Sequence, residues 1–149
     1  MMNHIVDRII KRDGEIVTVS PISVKHKNVL ADFSDARSAA FYAMGASIKD
    51  AKAVYLLVPG EYLASTYTAI TEAWFQKANI IVVAFFDSVS RVKTAWMDRC
   101  VLKNVSCGIS EDSIIDAFFT EAVGLHGPAL LSLVGEKVSE SAVDYSSLV

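Results

Sequence analysis

The sequence has few of the residues that cross-link small domains or hold them on metals. Only two cysteines occur, Cys100 and Cys107, and their separation lacks the paired spacing of a zinc site or a redox motif. They read as ordinary thiols in a reducing compartment. Basic charge is also scarce: the formal net charge is −3 and the pI is near 5.5, which leaves no footprint for neutralising nucleic-acid phosphates. Long apolar runs are missing. The longest, Ile80 to Phe86, falls far short of the roughly 20 residues of a membrane helix. Charged Asp7, Arg8 and Lys11 interrupt the first apolar positions and exclude a signal peptide. No membrane partner and a cytoplasmic location are the default expectations.

What is present is a large apolar share. At 149 residues with 52% hydrophobic side chains, the chain has the size of one domain and can bury a core without disulfide or metal. Ile5, Ile9 and Ile10 predict a short first helix ending at Asp13-Gly14, and Ile16 to Val19 a strand closed by Ser20-Pro21. Asn28 to Phe33 is a second, short strand. From Ser34 to Ile48 the residues Ala36, Ala39, Ala40, Ala43, Met44 and Ser47 form a stripe of small side chains at helical period. That stripe is read as core or as a subunit contact, with association favoured.

Ala53 to Val58, ended by Pro59-Gly60, and Asn79 to Phe86 are continuous apolar strands of the kind buried on both faces. A helix from Glu61 to about Gln76 lies between them. A polar helical stretch, Ser88 to Arg99, leads to a strand at Asn104 to Ile109. Ser110 then caps a helix from Glu111 to Val123 that stops at Gly124. Ala129 to Val134 is the last strand, introduced by His126-Gly127-Pro128. Strand and helix alternate, so the expected fold is α/β: a three-layer α/β/α arrangement around a doubly wound, mostly parallel sheet of about six strands. Residues 1–134 form the domain and 135–149 a serine-rich, acidic tail that frays or drapes over the surface.

In such folds ligands sit outside the carboxyl ends of the strands. Three loops qualify: Phe33-Ser34-Asp35-Ala36, Val58-Pro59-Gly60-Glu61 and Phe86-Asp87-Ser88. None has the glycine pattern of a dinucleotide or P-loop site. His4, His26 and His126 lack partners that would make them ligands, and Arg37 reads as a surface ion pair or an acid-binding group.

Asp35-Ala36-Arg37-Ser38-Ala39-Ala40-Phe41, followed by Ala43-Met44-Gly45, resembles the pyrimidine-binding domain of thiamine diphosphate-dependent enzymes. The motif is most similar to the succinyl-enolpyruvyl-cyclohexene-carboxylate synthases of the menaquinone pathway. The likeness continues through Leu56-Leu57-Val58-Pro59-Gly60, Ala69-Ile70-Thr71-Glu72-Ala73, Ile80 to Val83 and Gly127-Pro128-Ala129-Leu130-Leu131. It implies a subunit of a split thiamine diphosphate enzyme that decarboxylates or ligates 2-oxo acids. A homodimer or higher oligomer is implied as well.

Two departures qualify the resemblance. The family's activating glutamate lies nine positions before the helix glycine, and here 45 − 9 = 36 is Ala36. An alanine cannot accept or relay a proton. The Gly-Asp-Gly motif that holds diphosphate and magnesium is missing too, so a separate diphosphate-binding subunit would have to supply both. The resemblance makes Asp35 the catalytic candidate, with Asp35, Ala36, Gly60 and Glu61 as cofactor-binding candidates and no metal ligand in this chain. The simpler readings are a helix cap for Asp35 and a tight turn for Gly60. The alternative function is a non-catalytic scaffold or regulator that has lost the activating glutamate.

Overall fold

Strand and helix alternate along the computed structural model, which describes residues 2–135 and 142–144. Helix α1 (Met2–Lys11) leads into β1 (Glu15–Val19), β2 (Ser23–Lys25) and β3 (Val29–Phe33). Then come α2 (Ala36–Asp50), β4 (Val54–Pro59), α3 (Tyr67–Gln76), β5 (Ile80–Phe86), β6 (Lys103–Gly108), α4 (Asp112–Ala122) and β7 (Ala129–Val134). Six strands form one sheet in the order β3-β1-β4-β5-β7-β6, and every neighbouring pair is parallel. The expected architecture is therefore the observed one.

Two layers of cover explain why β4 and β5 show no alternation of polar and apolar residues. Both strands are buried at every position, and a strand covered on both faces has no side to give to water. One core joins α1 and α4 to the sheet through Ile5, Ile9, Tyr55, Leu57, Phe118 and Phe119. The opposite core joins α2 and α3 through Ala39, Ala43, Leu56, Val58, Ile70 and Val82. The alanine stripe of α2 lies in this second core, with Ala39, Ala40 and Ala43 fully buried. This corrects the subunit-contact reading: small side chains let α2 sit close on its own sheet.

Helix α1 is held mainly by apolar burial. Met2, Ile5, Val6 and Ile9 are fully buried, each worth about 1.5–3 kcal/mol. At the rim Arg8 donates to both carboxylate oxygens of Asp116 at 2.7 and 2.6 Å, with Asp112 at 3.0 Å. His4 Nε2 lies 2.9 Å from Asp112. These pairs are partly exposed and add on the order of 0–1 kcal/mol each, so they orient the helix more than they hold it. At the amino end of the sheet, the Asn79 amide donates to the carbonyls of Ala122 and Gly127 at 2.9 and 3.1 Å.

Four local expectations change. Gly60–Thr66 is a 3₁₀ helix rather than the first turns of α3, with Leu63 and Thr66 buried. Their spacing of three suits a helix with three residues per turn. The stretch Ser88 to Arg99 contains two short 3₁₀ turns, Val89–Arg91 and Ala95–Met97, instead of an α-helix. It lacks the apolar stripe that would repay a longer helix. Ser110 does not cap α4; Glu111 occupies the cap position, and its carboxylate accepts from Gly108 N at 2.6 Å. Strand β2 was not foreseen; it pairs in parallel with β8 (Ala142–Asp144), so part of the expected tail is a strand. The rest of that tail lies outside the described residues.

Tyr55 tests how the first core is satisfied. Its ring is 1% exposed and meets Phe119 edge-on at 5.4 Å. Its hydroxyl has no partner among the described residues, and burial pushes its pKa up to about 12. Removing an unpaired buried hydroxyl removes a desolvation cost. Tyr55→Phe is therefore expected to leave stability unchanged or raise it by up to about 1 kcal/mol, whereas an alanine there costs about 3–5 kcal/mol. Urea denaturation measures both.

Candidate functional site

The carboxyl ends of four strands finish level with one another. Val19 pairs with Phe33, Thr18 with Leu57 and Pro59 with Phe85, so the loops after β1, β3, β4 and β5 emerge side by side. The connection leaving β1 carries Ile22 and Val24 into the core under α1 and α4. The connections leaving β3 and β4 pack on the other face, through Ala36 and Leu63. Neighbouring strands whose exits diverge mark where folds of this kind place a ligand crevice, here between β1 and β4. Asp35 and Ala36 at the start of α2, and Gly60 and Glu61 at the start of the 3₁₀ helix, all sit at this edge of the sheet.

Asp35 is the N-cap of α2. Its carboxylate accepts from Ser38 N at 2.9 Å and from Ser38 Oγ at 2.6 Å. The Ser38 hydroxyl, then the Ser38 amide, hold its pKa below the ordinary value of 3.8. It is an exposed, ionised acceptor satisfied by its own helix, which is the simpler of its two readings. Ala36, one residue on, points the other way and is 4% exposed against the sheet. Asp35 stands in extended backbone outside the helix, while Ala36 is the first helical residue, and that change of backbone separates the two side chains.

Gly60 is held by packing. A Cβ there would lie 2.4 Å from the ring of Phe86, so the last side chain of β5 closes over the end of β4. Sequence reasoning missed Phe86 because it read only as the end of an apolar run. A bulky aromatic ending one central strand beside a Pro-Gly ending the next is the signal that was available. Glu61 is exposed in the first turn of the 3₁₀ helix. Beyond it stand exposed aromatics: Tyr62, and Tyr67 tilted against Trp96 at 5.6 Å.

Nucleophiles and metal ligands do not converge at this edge. Burial raises both thiols, that of Cys107 to about 11, and both are shielded side chains of the core. Among the described residues no three His, Cys, Asp or Glu side chains are placed to hold a metal ion. No helix among them is long and apolar enough to cross a membrane.

Two substitutions check this description. Gly60→Ala forces its methyl into the Phe86 ring, and overpacking of this kind costs about 1–3 kcal/mol; the urea midpoint should fall with an unchanged slope. For Asp35 the sign follows from its depressed pKa: the cap stabilises the fold above pH 3.8 and loses its effect as protonation proceeds below it. Asp35→Ala should thus be less stable than the parent at neutral pH, with the gap closing as the pH is lowered toward 3.

No family model and no curated protein matches the sequence. Among solved structures the fold is similar to benzoylformate decarboxylase from Polynucleobacter necessarius, with a TM-score of 0.68 and 16% sequence identity. The match covers 91% of this chain and 30% of that enzyme. The chain thus has the α/β fold of one region of a decarboxylase about three times as long.

Proposed function

We propose that this chain is the pyrimidine-side component of a thiamine diphosphate-type assembly acting on 2-oxo acids, completed by a partner chain that holds diphosphate and magnesium. One observation carries the reading: nearly all of this chain matches less than a third of a benzoylformate decarboxylase. The Asp35-to-Gly45 motif and the glycine-proline entry to β7 at Gly127-Pro128 add to it.

The residues at the crevice fit a structural share of such a site better than a chemical one. Activation of the cofactor needs a carboxylate beside its aminopyrimidine ring. The matching position holds the buried methyl group of Ala36, while Asp35 faces out and spends its charge on Ser38. This chain's own groups do not fit the activating role. What they do is shape the wall: Phe86 closes the end of β4 over Gly60, and the Asp35 cap fixes where α2 begins. Cofactors of this class supply the electron sink themselves, and a protein component contributes by positioning them.

Ala36 favours a second reading, a non-catalytic scaffold or regulator with the same fold. Calorimetric titration of thiamine diphosphate with magnesium, into the chain alone and into the chain with its co-purifying protein, separates the two. Heat of binding only in the mixture supports the assembly, and none in either sample leaves the scaffold. Ala36→Glu sharpens the result. Alone, the variant should lose about 1–3 kcal/mol, because a carboxylate enters an apolar contact with only about 0.3–1 kcal/mol returned by the helix N-terminus. In an active assembly it should change the exchange rate of the cofactor's thiazolium proton; an unchanged rate would argue for the scaffold.

A further inference from the structure

Strand β6 ends the sheet on the side away from β3, and among the described residues it pairs with β7 alone. Ile109 N donates to Val134 O at 2.9 Å. Alternation along the strand then turns the backbone groups of Asn104, Ser106 and Gly108 toward the open edge. Gly108 agrees with this, because its N–H is taken by the Glu111 carboxylate and not by the sheet. The side chains divide by face. Val105 and Cys107 lie on the α4 side, where a hollow of about 260 Å³ opens between β6 and α4 over Val105, Ile114 and Phe118. Asn104 turns to the other side and donates to Thr94 O and Asp98. Ser106 is exposed and Ile114 is 40% exposed.

We propose that β6 pairs antiparallel with β6 of a second copy of this chain, about a twofold axis through Ser106, so that the two sheets become continuous. Only a register centred on a residue keeps each side chain on its own face and joins outward-facing backbone groups to one another. Centred on Ser106, it sets Asn104 opposite the second copy's Gly108, and Val105 opposite its Cys107. No like charges oppose each other. Lys103 of each copy, paired with its own Glu121, comes opposite Ile109 of the other, so the ladder ends place no charge against a like charge.

A second copy fits better than an unrelated peptide. The twofold brings both α4 helices to the same face, where Ile114 of each copy meets apolar surface over the other's hollow. Along Lys103 to Cys107 the edge carries little of the protection that keeps such strands single, with no proline, no bulge and one lysine paired with Glu121 at 2.5 Å. Glu111 covers only the Gly108 N–H at its end, so the ladder draws on the amides of Asn104 and Ser106. The proposal is independent of the reading of the crevice, which lies at the ends of other strands.

Sedimentation velocity of the full chain across the micromolar range, with amide exchange by mass spectrometry, tests it. A concentration-dependent dimer is expected, with protection of the Asn104 and Ser106 amides rising as it forms. Ser106→Lys sets two like charges against each other on the axis while leaving the monomer surface polar, and should weaken dimerisation roughly tenfold or more. Ser106→Pro removes an outward N–H that the sheet does not use, and should have the same effect. Circular dichroism of the lysine variant reports the fold, should the proline variant fail to fold. A parent protein that is monomeric throughout, a dimer unaffected by Ser106→Lys, or a dimer whose β6 amides exchange freely would each overturn the proposal.

Discussion

Burial of β4 and β5 on both faces is the constraint from which the rest of the molecule follows. Strands without a wet side need a layer of cover above and below, and parallel strands need a crossover between each pair, so the crossovers become the cover. α2 and α3 take one face, α1 and α4 the other. The choice of side chains obeys the spacing. Alanines line the α2 side of one core, while Phe118 and Phe119 on α4 fill the other together with Tyr55.

The same arrangement gathers loops at one edge of the sheet and decides what they present. A catalytic centre needs groups whose hydrogen-bonding capacity is left over for a substrate. Here two carboxylates near that edge are occupied, Asp35 by Ser38 and Glu111 by Gly108, while Glu61 stands exposed. Phe86 fills the space beside Gly60.

Legibility in the sequence followed how local each cause was. The apolar runs of β4, β5 and β7 announce themselves, because two-sided burial leaves a composition that nothing else produces. The cap at Asp35 was readable from one side chain and its position before the alanine stripe. Ser110 failed as a cap because Glu111, a residue later, found a better partner in the Gly108 amide. The 3₁₀ helix at Gly60–Thr66 was hidden, since Leu63, Tyr67 and Ile70 also satisfy the α period; only Thr66, buried and bonded to Leu63 O, betrays it. Phe86 over Gly60 is legible only when the ends of two successive apolar runs are read together, since the contact depends on their pairing in the sheet.

Asn79 has a consequence for how the molecule can change. One amide reaches the end of α4 and the entry to β7 from the loop that begins β5, so it joins crossovers that travel on opposite faces. A residue added to either connection would have to be matched by the other, or both carbonyls would lose their donor. Variation in loop length is thereby discouraged at that pole of the sheet.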